Sequence, residues 1–317
     1  MLLTPLAAVY GATTALRRAL YRAGLLPEIR LPVPVIVVGN IVAGGTGKTP
    51  LVLWLCNFLA AQGYRPGIVS RGYGGGGRTM AARENAARSV GDEPALLAGK
   101  SSCPVWVGTD RAEAALALLA ANPGCNLIVS DDGLQHYRLQ RDVEIAVVDA
   151  TRGNGNGLLI PAGPLREGAG RLSRVDAVIV NGADRNGLQR GRNPHTFAMA
   201  LEGATLRNLL NPACQVEPGF FRGKRVHAVA GIGNPARFFD QLHALGLEFT
   251  AHAFADHHEY TAAEVGFAGA DAIVMTEKDA IKCRDFASEI LWVLPVEARV
   301  DEALGRVILE KLNLRPD

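Results

Sequence analysis

Between residues 42 and 49 the chain reads Val-Ala-Gly-Gly-Thr-Gly-Lys-Thr, a spacing of glycines, lysine and hydroxyl suited to holding a polyphosphate. The short stretch Val42, Ala43, Gly44, Gly45, Thr46, Gly47 lets successive backbone N–H groups turn inward, and the N-terminus of a following helix adds its partial positive charge. Lys48 then reaches the β- and γ-phosphates of a nucleoside triphosphate, and the Thr49 hydroxyl serves Mg²⁺. Val42 stands where the strict pattern has glycine. A P-loop also needs a carboxylate at the end of a neighbouring strand to complete the Mg²⁺ shell. Asp131, Asp132 and Asp149 qualify, and strand pattern alone favours Asp149 because Ser130 interrupts the other apolar run.

Other residues could act on whatever receives the phosphate. Asp92 and Glu93 lie in a Gly91-Asp-Glu-Pro94 turn. They complement a helix dipole, or Asp92 accepts a proton from an attacking hydroxyl. Asp256-His257-His258 sits in a polar stretch beside Tyr260, fit for proton transfer or for plain solvation. Arg166-Glu167, after Gly163-Pro164, puts a cation where a phosphate could meet it. Thr276-Glu-Lys-Asp279 falls short of the guanine-reading Asn-Lys-x-Asp motif, since Asn is missing and Lys and Asp are adjacent. Ala43 replaces the lysine of the deviant P-loops of dimeric ATPases. Both departures weigh against the alternatives, a nucleotide-driven switch or a membrane-recruited ATPase.

The elements that must position these residues alternate. Apolar runs near 33–38, 66–70, 105–107, 127–130, 144–148 and 177–180 read as strands, with helices predicted over 51–62, 91–98 and 110–121. Polar residues gather where the strands end, the pattern of a parallel sheet covered on both faces, with ligands at the strands' carboxyl ends. The rhythm breaks over 195–220 and resumes with strands at 225–230, 249–253 and 272–275. We therefore expect a P-loop NTPase-like α/β/α domain over 31–194, a linker over 195–220 and a smaller α/β domain over 221–317.

Residues 1–30 form a separate N-terminal unit. The first 16 residues carry no side-chain charge, and Arg17, Arg18 and Arg22 follow. A secretory signal has its basic residues first, and the uncharged run is shorter than the roughly 20 residues that span a bilayer. Leu2, Leu6, Val9, Thr13, Leu16 and Leu20 share one helical face, suited to a membrane interface or to docking on the protein itself. The 317 residues carry 33 basic and 31 acidic side chains, so no global field points to nucleic acid. Five scattered cysteines show no metal spacing and no disulfide framework.

As an ordered set, the motifs resemble the tetraacyldisaccharide 4'-kinase family of lipid A biosynthesis. The matching stretches are residues 34–40 with the 42–49 loop, Ser70-Arg-Gly-Tyr-Gly74, Gly91-Asp-Glu-Pro94, Asp131-Asp-Gly-Leu-Gln-His136, Gly163-Pro-Leu-Arg-Glu167, Asp256-His257 and Thr276-Glu-Lys-Asp279. Val42 is ordinary in that family. The resemblance implies two α/β/α domains joined by a β-strand linker, with the site between them. It implies that ATP, with Mg²⁺, phosphorylates the 4'-hydroxyl of a tetraacyldisaccharide 1-phosphate to give lipid IVA. It makes Asp131 and Asp132 the acids near the metal in place of Asp149, Asp92 the catalytic base and His257 its partner. Tyr73, Glu93, Arg166 and Glu167 become residues around the phosphates and the substrate headgroup. A lipid substrate also implies a membrane surface as partner, on the cytoplasmic face of the inner membrane, reached through the N-terminal helix.

Overall fold

The computed structural model describes residues 3–72, 79–83, 87–183 and 193–313. Helix α1 (Thr4–Arg22) leads into a first α/β unit. Its strands are β1 (Val35–Gly39), β2 (Pro66–Ser70), β3 (Met80–Ala81), β4 (Val105–Val107), β5 (Leu127–Asp131), β6 (Val143–Asp149), β7 (Ala177–Asn181) and β8 (Thr196–Glu202). Between them run α2 (Lys48–Ala61), α3 (Ala87–Val90), α4 (Asp92–Lys100) and α5 (Arg111–Ala121). A second unit follows, with β9 (Leu206–Asn208), β10 (Gln215–Val216), β11 (Val226–Ala230), α6 (Pro235–Ala244), β12 (Thr250–Ala253), β13 (Ala272–Thr276), α7 (Glu277–Lys282) and β14 (Leu291–Leu294). Strand β15 (Glu297–Val300) and helix α8 (Ala303–Asn313) close the chain.

Among the described residues the larger sheet runs β15-β8-β7-β6-β1-β5-β2-β4-β3 and the smaller one β10-β9-β14-β13-β11-β12. From β4 to β8 the larger sheet is parallel throughout, with antiparallel β3 and β15 at its edges. β1 is buried at every position and reads Val-Ile-Val-Val-Gly, as a central strand covered on both faces must. Two apolar clusters cover the faces of this sheet, one built with α2 and α8, the other with α5. Two further clusters cover the smaller sheet. The carboxyl ends of β1, β2, β5 and β6 face those of β11, β12 and β13 across a cleft, the edge where open α/β sheets bind ligands.

The observed division departs from the expected one. β8 completes the first sheet, so the connection is far shorter than 195–220. β15 pairs with β8, and Leu304, Ile308 and Leu312 of α8 bury into the first core. Residues 297–313 thus belong to the P-loop unit and not to the second domain. An i, i+4, i+8 stripe says that a helix is amphipathic but not which core it covers. The chain crosses between units twice, at 203–205 and 295–296. The crossings touch: a Cβ on Gly203 would collide with the Pro295 carbonyl.

In α1 only Ala7 is buried, and Leu3, Leu6, Val9 and Leu16 are about half exposed or more. Docking on the protein's own core therefore does not account for the apolar face. Arg18 is half-buried on the protein side, and Arg17 is exposed among the leucines.

Candidate active site

The P-loop is shaped by its neighbours before any ligand is considered. Asn40 Nδ2 donates to the Gly44 carbonyl at 3.1 Å and to Thr46 Oγ1 at 3.2 Å. Asn181 Nδ2, at the end of β7, donates to the Thr46 carbonyl at 2.9 Å. Gly47 has φ +89° and lies against Asn181, so a side chain here would be strained and would clash. Val42 packs in the core and bridges to Leu165, and the Ala43 N–H donates to the Pro164 carbonyl at 2.8 Å. Val42 and Ala43 thus anchor the loop, and Gly44 to Thr49 form its working part. α2 starts at Lys48, and Pro50 falls in its first turn, where no N–H is needed.

Lys48 Nζ lies 3.4 Å from Asp132 Oδ1. Arg166 reaches both oxygens of Asp132, at 3.1 and 2.9 Å. Burial works to raise the Asp132 carboxyl, but the charges of Lys48 and Arg166 outweigh it and hold the group at about 2. The neighbouring Asp131 is fully buried at the end of β5. Its Oδ2 accepts a hydrogen bond from the Ser70 hydroxyl at 3.1 Å, and its Oδ1 has no partner. Burial, then the charge of Glu93, pushes this carboxyl up to about 7 despite Lys48. A buried carboxylate oxygen without a donor, close to Lys48, is what a hard cation needs. Hydroxyl and carboxylate oxygens are also the donors Mg²⁺ prefers. The residues therefore fit a Mg²⁺ ion.

The opposite wall carries Asp92, the first residue of α4, and His257, in the loop after β12. His257 Nδ1 lies 3.2 Å from each oxygen of Asp92. Burial works to raise Asp92, but the His257 hydrogen bond and the charges of Lys278 and Lys282 bring it below the ordinary carboxylate value. His257 is raised by its bond to Asp92, against burial and Lys278. One cavity is lined by Gly45, Lys48, Asp92, Asp132, Arg166 and His257. A second lies on the other side of the loop, between Thr49, Asn181, Asn234, Arg237 and Phe238. Lys48 and Glu93 border both.

The fold thus brings Lys48, Asp131, Asp132, Asp92, Glu93, Arg166 and His257 to one cleft. Glu167 does not join them. Its buried carboxylate accepts from the Tyr137 hydroxyl and pairs with Arg171 at 3.5 Å, so it anchors the loop that carries Arg166. Asp149, favoured by strand pattern, is engaged by its own loop and by Asn234 and Arg237 of the second unit, at 3.3 and 3.5 Å. It accepts from the Thr151 hydroxyl and from the backbone N–H groups of Thr151 and Arg152. His258 turns outward to Glu264 at 3.1 Å. Tyr73 and the rest of the glycine-rich loop to Arg78 lie outside the described residues. Reading the sequence missed Asn40, Ser70 and Asn181, whose partners lie on other strands. It set aside Lys278 with the failed guanine motif.

Fold and site together define a P-loop nucleotide-binding protein with a histidine–aspartate pair facing the phosphates. A family model described as tetraacyldisaccharide-1-P 4'-kinase matches residues 1–313. The tetraacyldisaccharide 4'-kinase of Azoarcus sp. is 52% identical over 315 residues, covering 99% of this chain and 92% of that one. That of Aromatoleum aromaticum is 53% identical over 317 residues, covering 98% and 93%. The crystal structure of LpxK from Aquifex aeolicus in complex with ATP superposes with a TM-score of 0.79 at 29% identity, covering 98% of both chains. The chain belongs to the tetraacyldisaccharide-1-P 4'-kinase family.

Proposed function

We propose that this protein transfers the γ-phosphoryl group of ATP to the 4'-hydroxyl of a tetraacyldisaccharide 1-phosphate, giving lipid IVA in lipid A biosynthesis. The observation that carries the reading is the Asp92–His257 pair across the cleft from Lys48. A sugar hydroxyl must be placed and deprotonated, and a carboxylate oriented by an imidazole can do both.

ATP lies with its phosphates along Gly44 to Thr49 and its nucleoside in the cavity beside Asn181, Asn234 and Arg237. Thr49 and Asp131 would hold Mg²⁺, Asp132 being engaged with Lys48 and Arg166. The ion would supply charge compensation on the β- and γ-phosphate oxygens. The acceptor enters the cavity lined by Asp92, Arg166 and His257 and directs its 4'-hydroxyl at Asp92. As the bond from O4' to the γ-phosphorus forms, the bond to the β,γ-bridging oxygen breaks. The hydroxyl proton passes to Asp92, and ADP leaves. His257 orients the Asp92 carboxylate, and Lys48 and Arg166 face the charge on the transferring group. Glu93 lines both cavities, next to where the γ-phosphate meets the hydroxyl.

Four acyl chains hold the acceptor in a membrane. No described helix is long and apolar enough to cross one. α1 instead lies in the interface, on the cytoplasmic face of the inner membrane, with Leu3, Leu6, Val9 and Leu16 among the acyl chains and Arg17 at anionic headgroups.

Incubation with ATP, Mg²⁺ and the lipid disaccharide should add one phosphoryl group to the lipid, as read by mass. ATP hydrolysis with no phosphate gained by lipid would overturn the reading in favour of a switch. Removing residues 1–22 should release the protein from vesicles containing anionic lipid, and unchanged sedimentation would make the helix structural.

A further inference from the structure

In the stretch Thr276-Glu-Lys-Asp279 each residue has its own task, and two of the four reach across the cleft. Thr276 caps α7 through the Asp279 N–H. The fully buried Asp279 accepts from the Gly231 N–H at 3.1 Å and so fixes the loop whose Gly233 packs on P-loop Gly45. A Cβ on Gly233 would lie 2.5 Å from the Gly45 nitrogen, so this approach admits only glycine. Glu277 and Lys278 reach the other domain.

Lys278 Nζ lies 3.1 Å from Glu93, 3.5 Å from Asp256 and 3.8 Å from Asp92. Glu93 and Asp92 form the first turn of α4, and Asp256 precedes His257. Glu277 is buried and holds Lys100, the last residue of α4, at 2.9 Å. It also accepts the N–H of Val296, in the return crossing between the units, at 3.1 Å. Thus α4 is acidic at its N-terminus and basic at its C-terminus, in accord with its dipole. α7 meets the acidic end with a lysine and the basic end with a glutamate. Reversing α7 would set like charges together, so the pairing admits one orientation.

We propose that Glu277 and Lys278 form the docking code by which the second domain closes on α4 in one orientation, and that Lys278 is the positioning residue through which closure sets the Asp92–His257 pair. The inference rests on the phosphoryl-transfer reading for its second part only. Asp92 faces His257 and, farther off, Lys278 and Lys282, all from the second domain, beside its own neighbour Glu93. Without Lys278, Asp92 and Asp256 flank the imidazole at 3.2 and 3.9 Å, with Lys282 at 3.9 Å from Asp92 and Lys48 and Arg166 across the cavity. Both members of the pair would then hold a proton to higher pH.

The test uses the full chain with ATP, Mg²⁺ and lipid disaccharide in micelles. Lys278→Met should lower kcat roughly tenfold to a hundredfold. The acid limb of its kcat/KM profile should move up by about one pH unit. Lys278→Arg should keep the wild-type limb, and in an Asp92→Asn background Lys278→Met should add no further shift. A folded Lys278→Met with an unmoved limb overturns the positioning role. Docking is read separately from turnover by small-angle scattering. Lys100→Glu should enlarge the radius of gyration, and Lys100→Glu with Glu277→Lys should restore it. Failure of the swap to restore compaction overturns the code, even where wild-type protein phosphorylates lipid. Restored compaction with no lipid phosphorylation by wild type leaves the code standing and fells the functional reading alone.

Discussion

Asp132 and His257 are the two non-glycine residues with a left-handed backbone among the described residues, at φ +48° and +62°, and they are held in opposite ways. Asp132 is fixed inside one unit, by Lys48 and Arg166 on its carboxylate and by Arg111, which reaches its carbonyl at 3.5 Å. His257 leans on Asp92, a residue of the other unit. A left-handed residue without glycine costs on the order of 1–3 kcal/mol and persists only where its surroundings impose it. The lysine, arginine and acids at the phosphate end therefore come from the first unit, although Asn234 and Arg237 of the second border the cavity beside the loop, whereas the proton-accepting pair is itself split between the two units. Such a division withholds the base until the second domain arrives.

The sharpest way to break this contrast is to remove one group from each end. Asp92→Asn should lower kcat by roughly 10²- to 10⁴-fold, with the KM for ATP nearly unchanged, because the P-loop, Asp131 and Asp132 do not depend on it. Lys48→Met should lower turnover and weaken ATP binding together, since it removes a phosphate contact and leaves Asp132 with Arg166 alone. Steady-state kinetics and ATP titration separate the two. Equal damage to ATP binding by both variants would mean that the two ends are one cooperative unit.

The backbone of His257 gives a second, smaller lever. His257→Ala removes the hydrogen bond and sets a residue with no taste for positive φ, so kcat should fall roughly tenfold to a hundredfold. Asparagine tolerates the left-handed region and can still donate to Asp92. His257→Asn should therefore retain several times more activity than His257→Ala. If the two were equal, neither backbone strain nor the hydrogen bond would explain why histidine stands there.

These two regions also differ in how far they could be read beforehand. The P-loop announces itself because glycine, lysine and threonine act within eight consecutive residues, on a strand and helix that apolar periodicity already marks. Strands β1, β2 and β4 to β7 follow the same periodicity closely, whereas β3 (Met80–Ala81) is too short to leave a pattern. Asp131 and Asp132 were outranked by Asp149 on strand pattern, since Ser130 looked like an interruption when it is a buried strand residue. The family resemblance corrected that order. Ser130 lies fully buried in β5 with its side chain against Gly133, a close packing that tertiary contact and not strand pattern decides. The return of β15 and α8 to the first core escaped notice because an amphipathic stripe names no partner. Lys278 escaped because its meaning lies in Asp92 and Glu93, some 185 residues upstream. Asp92 and His257 themselves, 165 residues apart, were joined by resemblance and not by pattern.

The smallest effect concerns pH, and it separates the ends once more. The pair stabilises closure while Asp92 is ionised and His257 is protonated. Asp92 is lowered from the ordinary 3.8, so its contribution is complete above that value and is lost as the pH falls through its depressed one. His257 is raised from the ordinary 6.5, so its contribution is complete below that value and is lost as the pH rises through its elevated one. The imidazole is 38% exposed, so solvent screening holds the whole effect to about 1 kcal/mol or less. The melting-temperature difference between wild type and His257→Ala should therefore be widest between about 4 and 6.5 and should close toward pH 9. Asp132, held at about 2 by a lysine and an arginine, stays ionised over that range, and Asp131, pushed up to about 7 by burial, titrates in both proteins and drops out of the difference. A difference that widened above pH 7 would mean that neutral imidazole, and not the ion pair, holds the domains together.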